Sequence, residues 1–200
     1  LIFSSILAGL IRRYALSRNL MDVPNSRSSH STPTPRGGGI AFIIPFILLV
    51  LILSLMGDLS RPMAWSFLGG GIWISLIGFW DDHAHIAARW RLLAHFIGAA
   101  WVLFWLGGFP PLEILGFRVD LGWFGNVLAA VYVVWLLNLY NFMDGIDCIA
   151  SIETITVCLA AALLTSFLTL TQSVWLLPMI LAFSVAGFLF WNIPPAKIFM

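Results

Sequence analysis

The chain has 200 residues, of which 60 % are hydrophobic and only 10 % charged, and its mean hydropathy is +0.98. A soluble domain carries roughly 25 % charged residues, so this composition excludes one and indicates an integral membrane protein. The net charge of +1 gives no reason to expect nucleic acid as a partner, and the ten basic residues are better read for topology.

The first run, residues 1–11, is apolar and ends in Arg12-Arg13. A signal peptide would carry its basic residues ahead of the apolar part, so the run reads as the tail of a truncated spanning helix. Further apolar runs follow at roughly 39–57, 64–80, 92–107, 123–140, 155–171 and 174–191. Several fall a little short of the ~20 residues of an average span. The expected fold is all-α, a polytopic transmembrane bundle of about seven spans. Residues 1–200 form one membrane-embedded domain in this reading, incomplete at both ends and part of a larger protein. Trp65, Trp80, Trp90, Trp105, Trp123, Trp175 and Trp191 lie at run ends, as in an interfacial belt. Trp73, Trp101 and Trp135 are expected to pack between helices. Cys148 and Cys158, if helical, stand about 15 Å apart along the axis, too far for a disulfide.

Basic residues set the orientation. Odd-numbered loops hold Arg12, Arg13, Arg18, Arg27, Arg36, Arg89, Arg91 and Lys197, whereas even-numbered loops hold only Arg61 and Arg118. Positive-inside ordering makes the odd loops cytoplasmic. Asp22, Asp81, Asp82, Asp144, Asp147 and Glu153 fall on that same side. Charge at a bilayer is costly, so several acids gathered at one interface suggest a site for a metal ion and a polar substrate.

Three segments carry the chemistry. In the first loop, Asp22 to Gly39, three prolines oppose a helix, and Gly37-Gly38-Gly39 then opens into an apolar helix. Amides at such a start attract anions, and Arg27 and Arg36 could add forked contacts to phosphate. The plainer alternative is a basic loop with a flexible helix entry. In the second, Asp81-Asp82 ends an apolar run. Adjacent carboxylates suit Mg²⁺, or one could take a proton while the other tunes it; a solvated helix cap is the alternative. His83 and His85 do not share a helix face, which argues against zinc. In the third, Asn138, Asn141, Asp144 and Asp147 recur every three residues, with Gly145 leaving room beside the backbone. Amides and carboxylates together can hold a metal and read a sugar or base edge.

These stretches carry a resemblance. D-V-P-N-S-R-S-S-H-S-T-P-T-P-R-G-G-G at 22–39, G-F-W-D-D at 78–82, R-W-R-L-L-A-H at 89–95, N-L-Y-N-F-M-D-G-I-D at 138–147 and W-N-I-P-P-A-K-I-F-M at 191–200 occur in one order. The chain resembles the polyprenyl-phosphate N-acetylaminosugar-1-phosphate transferases, the membrane glycosyltransferase 4 family. N-F-M-D-G-I-D is more similar to the members that start O-antigen or related surface glycans than to the peptidoglycan branch.

The resemblance implies transfer of a sugar 1-phosphate from a UDP-N-acetylaminosugar to undecaprenyl phosphate, releasing UMP. Mg²⁺ is the implied cofactor, and Mn²⁺ would suit the same ligands. The implied place is a bacterial inner membrane, with the site on the cytoplasmic face; a homodimer is compatible with it. Asp81 and Asp82 match the family's catalytic aspartate pair, whose division between proton transfer and metal holding the sequence leaves open. Asn141 matches a Mg²⁺-ligating amide. Asp144, Gly145 and Asp147 fall in the stretch that lines the nucleotide pocket, beside the turn formed by Pro35, Arg36, Gly37 and Gly38. Cys148 stands where the family usually has glycine. A further metal-binding aspartate is expected two positions beyond Met200, so these residues alone are expected not to catalyse transfer. A transporter would place ionisable groups at mid-membrane, and a non-catalytic scaffold gives no reason for the motifs to share one side.

Overall fold

The computed structural model describes residues 1–24, 30–84, 86–168 and 174–200. Arg27 and His85 lie outside the described residues. Seven helices appear among those described: α1 (Ile2–Ser17), α2 (Ile40–Met56), α3 (Arg61–Ala84), α4 (Ala88–Leu106), α5 (Gly122–Met143), α6 (Ile149–Leu168) and α7 (Leu176–Asn192). Two short antiparallel ladders complete the fold. Strands β1 (Met21–Asp22) and β2 (Thr34–Pro35) close the first loop, and β3 (Leu112–Ile114) pairs with β4 (Phe117–Val119) between α4 and α5.

Three helices are long and apolar enough to cross a bilayer: Arg61–Ala84, Gly122–Met143 and the Ile149–Phe167 part of α6. Two more, Ile40–Met56 and Leu176–Asn192, are apolar but shorter. Large side chains such as Leu55, Leu76, Phe104, Phe142 and Phe167 face outward. Such a surface suits lipid rather than water. The chain is therefore an all-α bundle of polytopic membrane character.

Some helices extend past their apolar runs. Chain direction and backbone hydrogen bonding continue α1 past Arg12-Arg13, and α3 carries Asp81-Asp82 on its last turn. Helix α6 starts at Ile149 rather than near 155, so Glu153 sits on a helix. Hydropathy marks where apolar side chains stop, whereas a helix continues until a residue breaks its bonding.

Helices α1, α2 and α7 pack together, α3 lies against α2, α4 against α3, and α5 against α4, while α6 packs on α7. One core lies among Phe46, Val50, Leu59, Ala64 and Leu177, and another among Ala8, Ala41, Phe188 and Ile198. Contact between α3 and α4 depends on small residues. A Cβ on Gly69 would stand 2.2 Å from the Trp101 indole nitrogen, and one on Gly70 would stand 2.8 Å from Val102. Trp101 Nε1 donates to the Trp65 carbonyl (2.9 Å), and Trp73 Nε1 donates to the Ala94 carbonyl (2.8 Å). Lipid tails give helices no hydrophobic reason to associate, so close backbone approach and interhelical hydrogen bonds hold such pairs. Trp73 and Trp101 thus bridge helices as expected. Trp135 does not; it is 68 % exposed, because α5 has α4 on one flank and only sparse contact with α6 on the other.

The turn between α5 and α6 has a strained residue. Cys148 has φ +66°, in the left-handed region that disfavours side chains. It is held there by its N–H, which donates to Asn192 Oδ1 (3.0 Å), and its thiol, which donates to the Asn192 carbonyl (3.3 Å). Glycine would take this backbone without strain. Both cysteines are free. Cys148→Gly is expected to be at least as stable as the parent in thermal melts. Cys148→Val should lose about 2 kcal/mol, since a branched side chain is a genuine outlier there.

Candidate active site

A cleft of about 260 Å³ opens where the start of α2, the end of α3, the start of α4 and the end of α5 meet. Its polar lining comes from Ser75, Asp81, Asp82, Arg91, His95, Tyr140, Asn141 and Asp144, with Gly37, Gly39 and Met200 also in the wall. The alternating directions of α2 to α5 bring these ends together, although 107 positions separate Gly37 from Asp144 in the chain.

The two neighbouring aspartates differ. Asp81 Oδ1 accepts from the Ile86 amide (2.8 Å), and Oδ2 accepts from Arg91 Nη1 (2.7 Å). Arg91 thus ties the end of α3 to α4, and Asp81 also engages the Ile86 amide ahead of α4. Asp82 faces the glycine turn: its Oδ2 stands 3.7 Å from where a Cβ on Gly37 would be. Gly37 has φ +87°, so the turn needs glycine on backbone grounds, and its bare edge borders Asp82.

Gly38 has another task. Its amide donates to the Phe199 carbonyl (2.8 Å), and a Cβ would lie 2.4 Å from the Phe188 ring. It lets the turn press against α7 and the segment after it, and its N–H is spent there. Arg36 pairs with Asp22 across the β1–β2 ladder, and His30 Nε2 lies 3.6 Å from the other Asp22 oxygen. Arg36 also lines a second, mostly apolar hollow shared with Gly37 and Asp82.

The repeated Asn/Asp series divides by position. Asn141 lines the cleft from α5. Asn138 turns toward α4: its Nδ2 donates to the Val134 carbonyl (2.8 Å) and lies 3.3 Å from His95 Nδ1. Asp144 lines the cleft, and its Oδ1 accepts from the Met200 amide (3.2 Å). Asp147 accepts from the Ala196 amide (2.9 Å) and so anchors the returning segment outside the cleft lining. A Cβ on Gly145 would meet nothing within 4 Å. Glu153 is exposed on α6 and does not join the cleft.

Burial pushes the Asp144 carboxyl up to about 7; the Met200 amide opposes this, Asp82 reinforces it, Arg36 lowers it and Asp22 raises it. The raised value has a signed consequence. Between its ordinary 3.8 and about 7, the folded protein keeps a proton that the unfolded chain releases, so rising pH favours unfolding. Without divalent cations, Asp144→Asn should melt higher than the parent at pH 8, and the difference should vanish near pH 4.

Three residues carried no site role on sequence grounds: Arg91 and His95, which line the cleft, and Asn192, which braces the turn at Cys148. Arg91 and His95 lie in R-W-R-L-L-A-H and share a helix face at i, i+4, a signal that could have marked them. Asn192 is buried, and its partners lie far apart in the chain, so sequence gave no such signal.

The donor set is compatible with Mg²⁺. Asp82, Asn141 and Asp144 offer oxygen alone, as a hard cation prefers. Among the described residues, no three of His, Cys, Asp and Glu gather closely enough to hold a metal. Mg²⁺ commonly binds through one or two carboxylates together with substrate phosphate and water, so the fit does not require such a cage.

Residues 64–200 match the family model described as Glycosyl transferase family 4. A probable undecaprenyl-phosphate N-acetylglucosaminyl 1-phosphate transferase of Bacillus subtilis (strain 168) is 29 % identical over 98 % of this chain and 54 % of its own length. A phospho-N-acetylmuramoyl-pentapeptide-transferase of Moorella thermoacetica is 30 % identical over 98 % of this chain and 64 % of its own length. An undecaprenyl-phosphate alpha-N-acetylglucosaminyl 1-phosphate transferase of Thermotoga maritima is 26 % identical over 100 % of this chain and 57 % of its own length. The chain thus spans a little over half to about two thirds of these curated relatives.

Proposed function

The chain belongs to glycosyl transferase family 4, and from that premise we propose that it forms the membrane-embedded part of an enzyme that moves a sugar 1-phosphate from a UDP-N-acetylaminosugar to undecaprenyl phosphate. An oxygen of the lipid phosphate attacks the phosphorus that bears the sugar. The bond from that phosphorus to the nucleotide phosphate breaks, and UMP leaves. The product is a lipid-linked diphosphate sugar. The proposed use is in starting a surface glycan, at the cytoplasmic face of a bacterial inner membrane.

The observation that carries this reading is the single cleft that gathers Asp82, Asn141, Asp144 and the Asp81–Arg91 pair at one end of the bundle. A transporter would place such groups near mid-membrane. Two phosphates about 4 Å apart repel by roughly 4 kcal/mol per pair of unit charges at a surface-like dielectric. Mg²⁺, when bound by Asp82, Asn141 and Asp144, supplies the charge neutralisation that phosphoryl transfer needs. Arg91 adds fixed positive charge at the cleft wall, and Asp81 keeps that guanidinium in place. Gly37 leaves the edge open for a phosphate to approach. Gly145 leaves the open space in which a nucleotide could lie against the Asp144 turn.

The test is UMP release by the full-length protein from a panel of UDP-N-acetylaminosugars, with undecaprenyl phosphate and Mg²⁺. Release should require both lipid and cation and should favour one sugar. Solute accumulation in vesicles without any UMP release would overturn the reading.

A further inference from the structure

We propose that the β3–β4 hairpin is a membrane anchor, lying in the headgroup and acyl boundary of the leaflet at the end of the bundle opposite the cleft. It follows the end of α4 and precedes the start of α5, so it emerges where a bilayer surface must be. Trp65 and Trp105 stack at that end with ring centroids 5.9 Å apart, and exposed Trp123 opens α5 beside the hairpin. Tryptophans gathered at helix ends mark the level of the interface.

The hairpin is amphipathic in an unusual direction. Its register pairs Leu112 with Val119, Glu113 with Arg118 and Ile114 with Phe117. Alternation along a strand therefore puts Leu112, Ile114, Phe117 and Val119 on one face and the Glu113/Arg118 pair on the other. Every one of these residues is exposed, with Phe117 at 74 %. A ladder of two three-residue strands with an uncovered apolar face is marginal in water and prone to pair with other strands.

The tip is more telling. Leu115 and Gly116 both have positive φ, +51° and +83°, which makes a two-residue turn of the mirror-image type. Asparagine, aspartate or glycine is the usual first residue of such a turn. Leucine there accepts backbone strain and is also 95 % exposed. Neither cost has a return in water. Both are offset if the tip enters hydrocarbon, where an interfacial segment buries its apolar side by about 5–10 Å.

The hairpin is also held in place. Asn126 Oδ1 on α5 accepts from the Phe109 amide at its base (2.6 Å), and Asp120 Oδ1 accepts from the Gly122 amide (2.8 Å). Its apolar face is thus presented at a fixed height. The partner is a lipid surface without charge preference, because Glu113 and Arg118 balance each other.

The experiment uses the protein in proteoliposomes, in a Cys148→Gly, Cys158→Ala background. Single cysteines at Leu115, Phe117, Glu113 and Arg118 carry an environment-sensitive fluorophore. Labels at 115 and 117 should shift to the blue and be quenched by shallow nitroxide lipids several-fold more than labels at 113 and 118. Iodide should show the reverse order. Vesicles with and without anionic lipid should agree. Leu115→Asn, which favours the turn, should lower lipid quenching at 117 several-fold without loss of folding. Equal iodide access at all four positions would overturn the proposal. So would shielding at 115 and 117 that vanishes at one copy per vesicle, because a second copy would then be the cover.

Discussion

Asp82→Asn in the full-length protein is expected to lower turnover by roughly 10³-fold, the scale seen when one preorganised electrostatic contact to a reacting group is removed. Asparagine has nearly the same shape, so the loss would come from charge. Asp82 faces the glycine turn at the open edge of the cleft, where phosphate can approach. Asp81→Asn should cost less. Its side-chain oxygen can still accept from Ile86, and what is lost is the ion pair that fixes Arg91. Asp120→Asn, at the other end of the bundle, should leave turnover unchanged. Mg²⁺-dependent UMP release by Asp82→Asn at near-parental rate would remove Asp82 from the proposed chemistry.

Asn192→Ala is expected to destabilise the fold by about 3 kcal/mol and to disable the site indirectly. One buried side chain serves three segments. Its Oδ1 accepts from the Cys148 amide (3.0 Å) and the Ser151 hydroxyl (3.2 Å), and its Nδ2 donates to the Ile198 carbonyl (3.0 Å). Each buried group left without a partner costs about 1–3 kcal/mol. Alanine would take away the partner of the Cys148 amide and leave that left-handed residue held here only by its thiol's bond to the residue-192 carbonyl. The turn from Asp144 to Cys148 should then loosen, and hydrogen exchange at its amides should rise far above the parental rate while α3 and α4 stay protected. Uniform acceleration across all helices would instead indicate global unfolding and no special link to the turn.

The helical character of the bundle was legible because apolar runs and flanking tryptophans are local signals. Helix ends were not. Glu153 reads as lying ahead of the run at 155, yet it sits on α6, which begins at Ile149. The cleft was half legible. The acidic motifs announced themselves by the cost of charge at a membrane, and Asp82, Asn141 and Asp144 do meet. What spacing could not convey is which partners each residue takes. Asp81 is bound by a residue ten positions on, and Gly38 by a carbonyl from the far end of the chain. Trp135 shows the converse: its residue type suggested burial, and the absence of a close neighbour along that side of α5 decided otherwise.

The glycine contact between α3 and α4 acts as a depth gauge for the chemistry. Gly69 and Gly70 let α3 approach Trp101 and Val102 so closely that a Cβ at either position would force the two helices to shift. Twelve residues separate Gly70 from Asp82, about 18 Å at the helical rise of about 1.5 Å per residue. The height at which that carboxylate meets the interface is therefore set from deep in the membrane. If the proposed function holds, a bulky residue at position 69 or 70 is expected to lower turnover by lifting or sinking Asp82 relative to the interface. Inactivating substitutions along this seam would then report on vertical alignment, and they would do so without touching substrate.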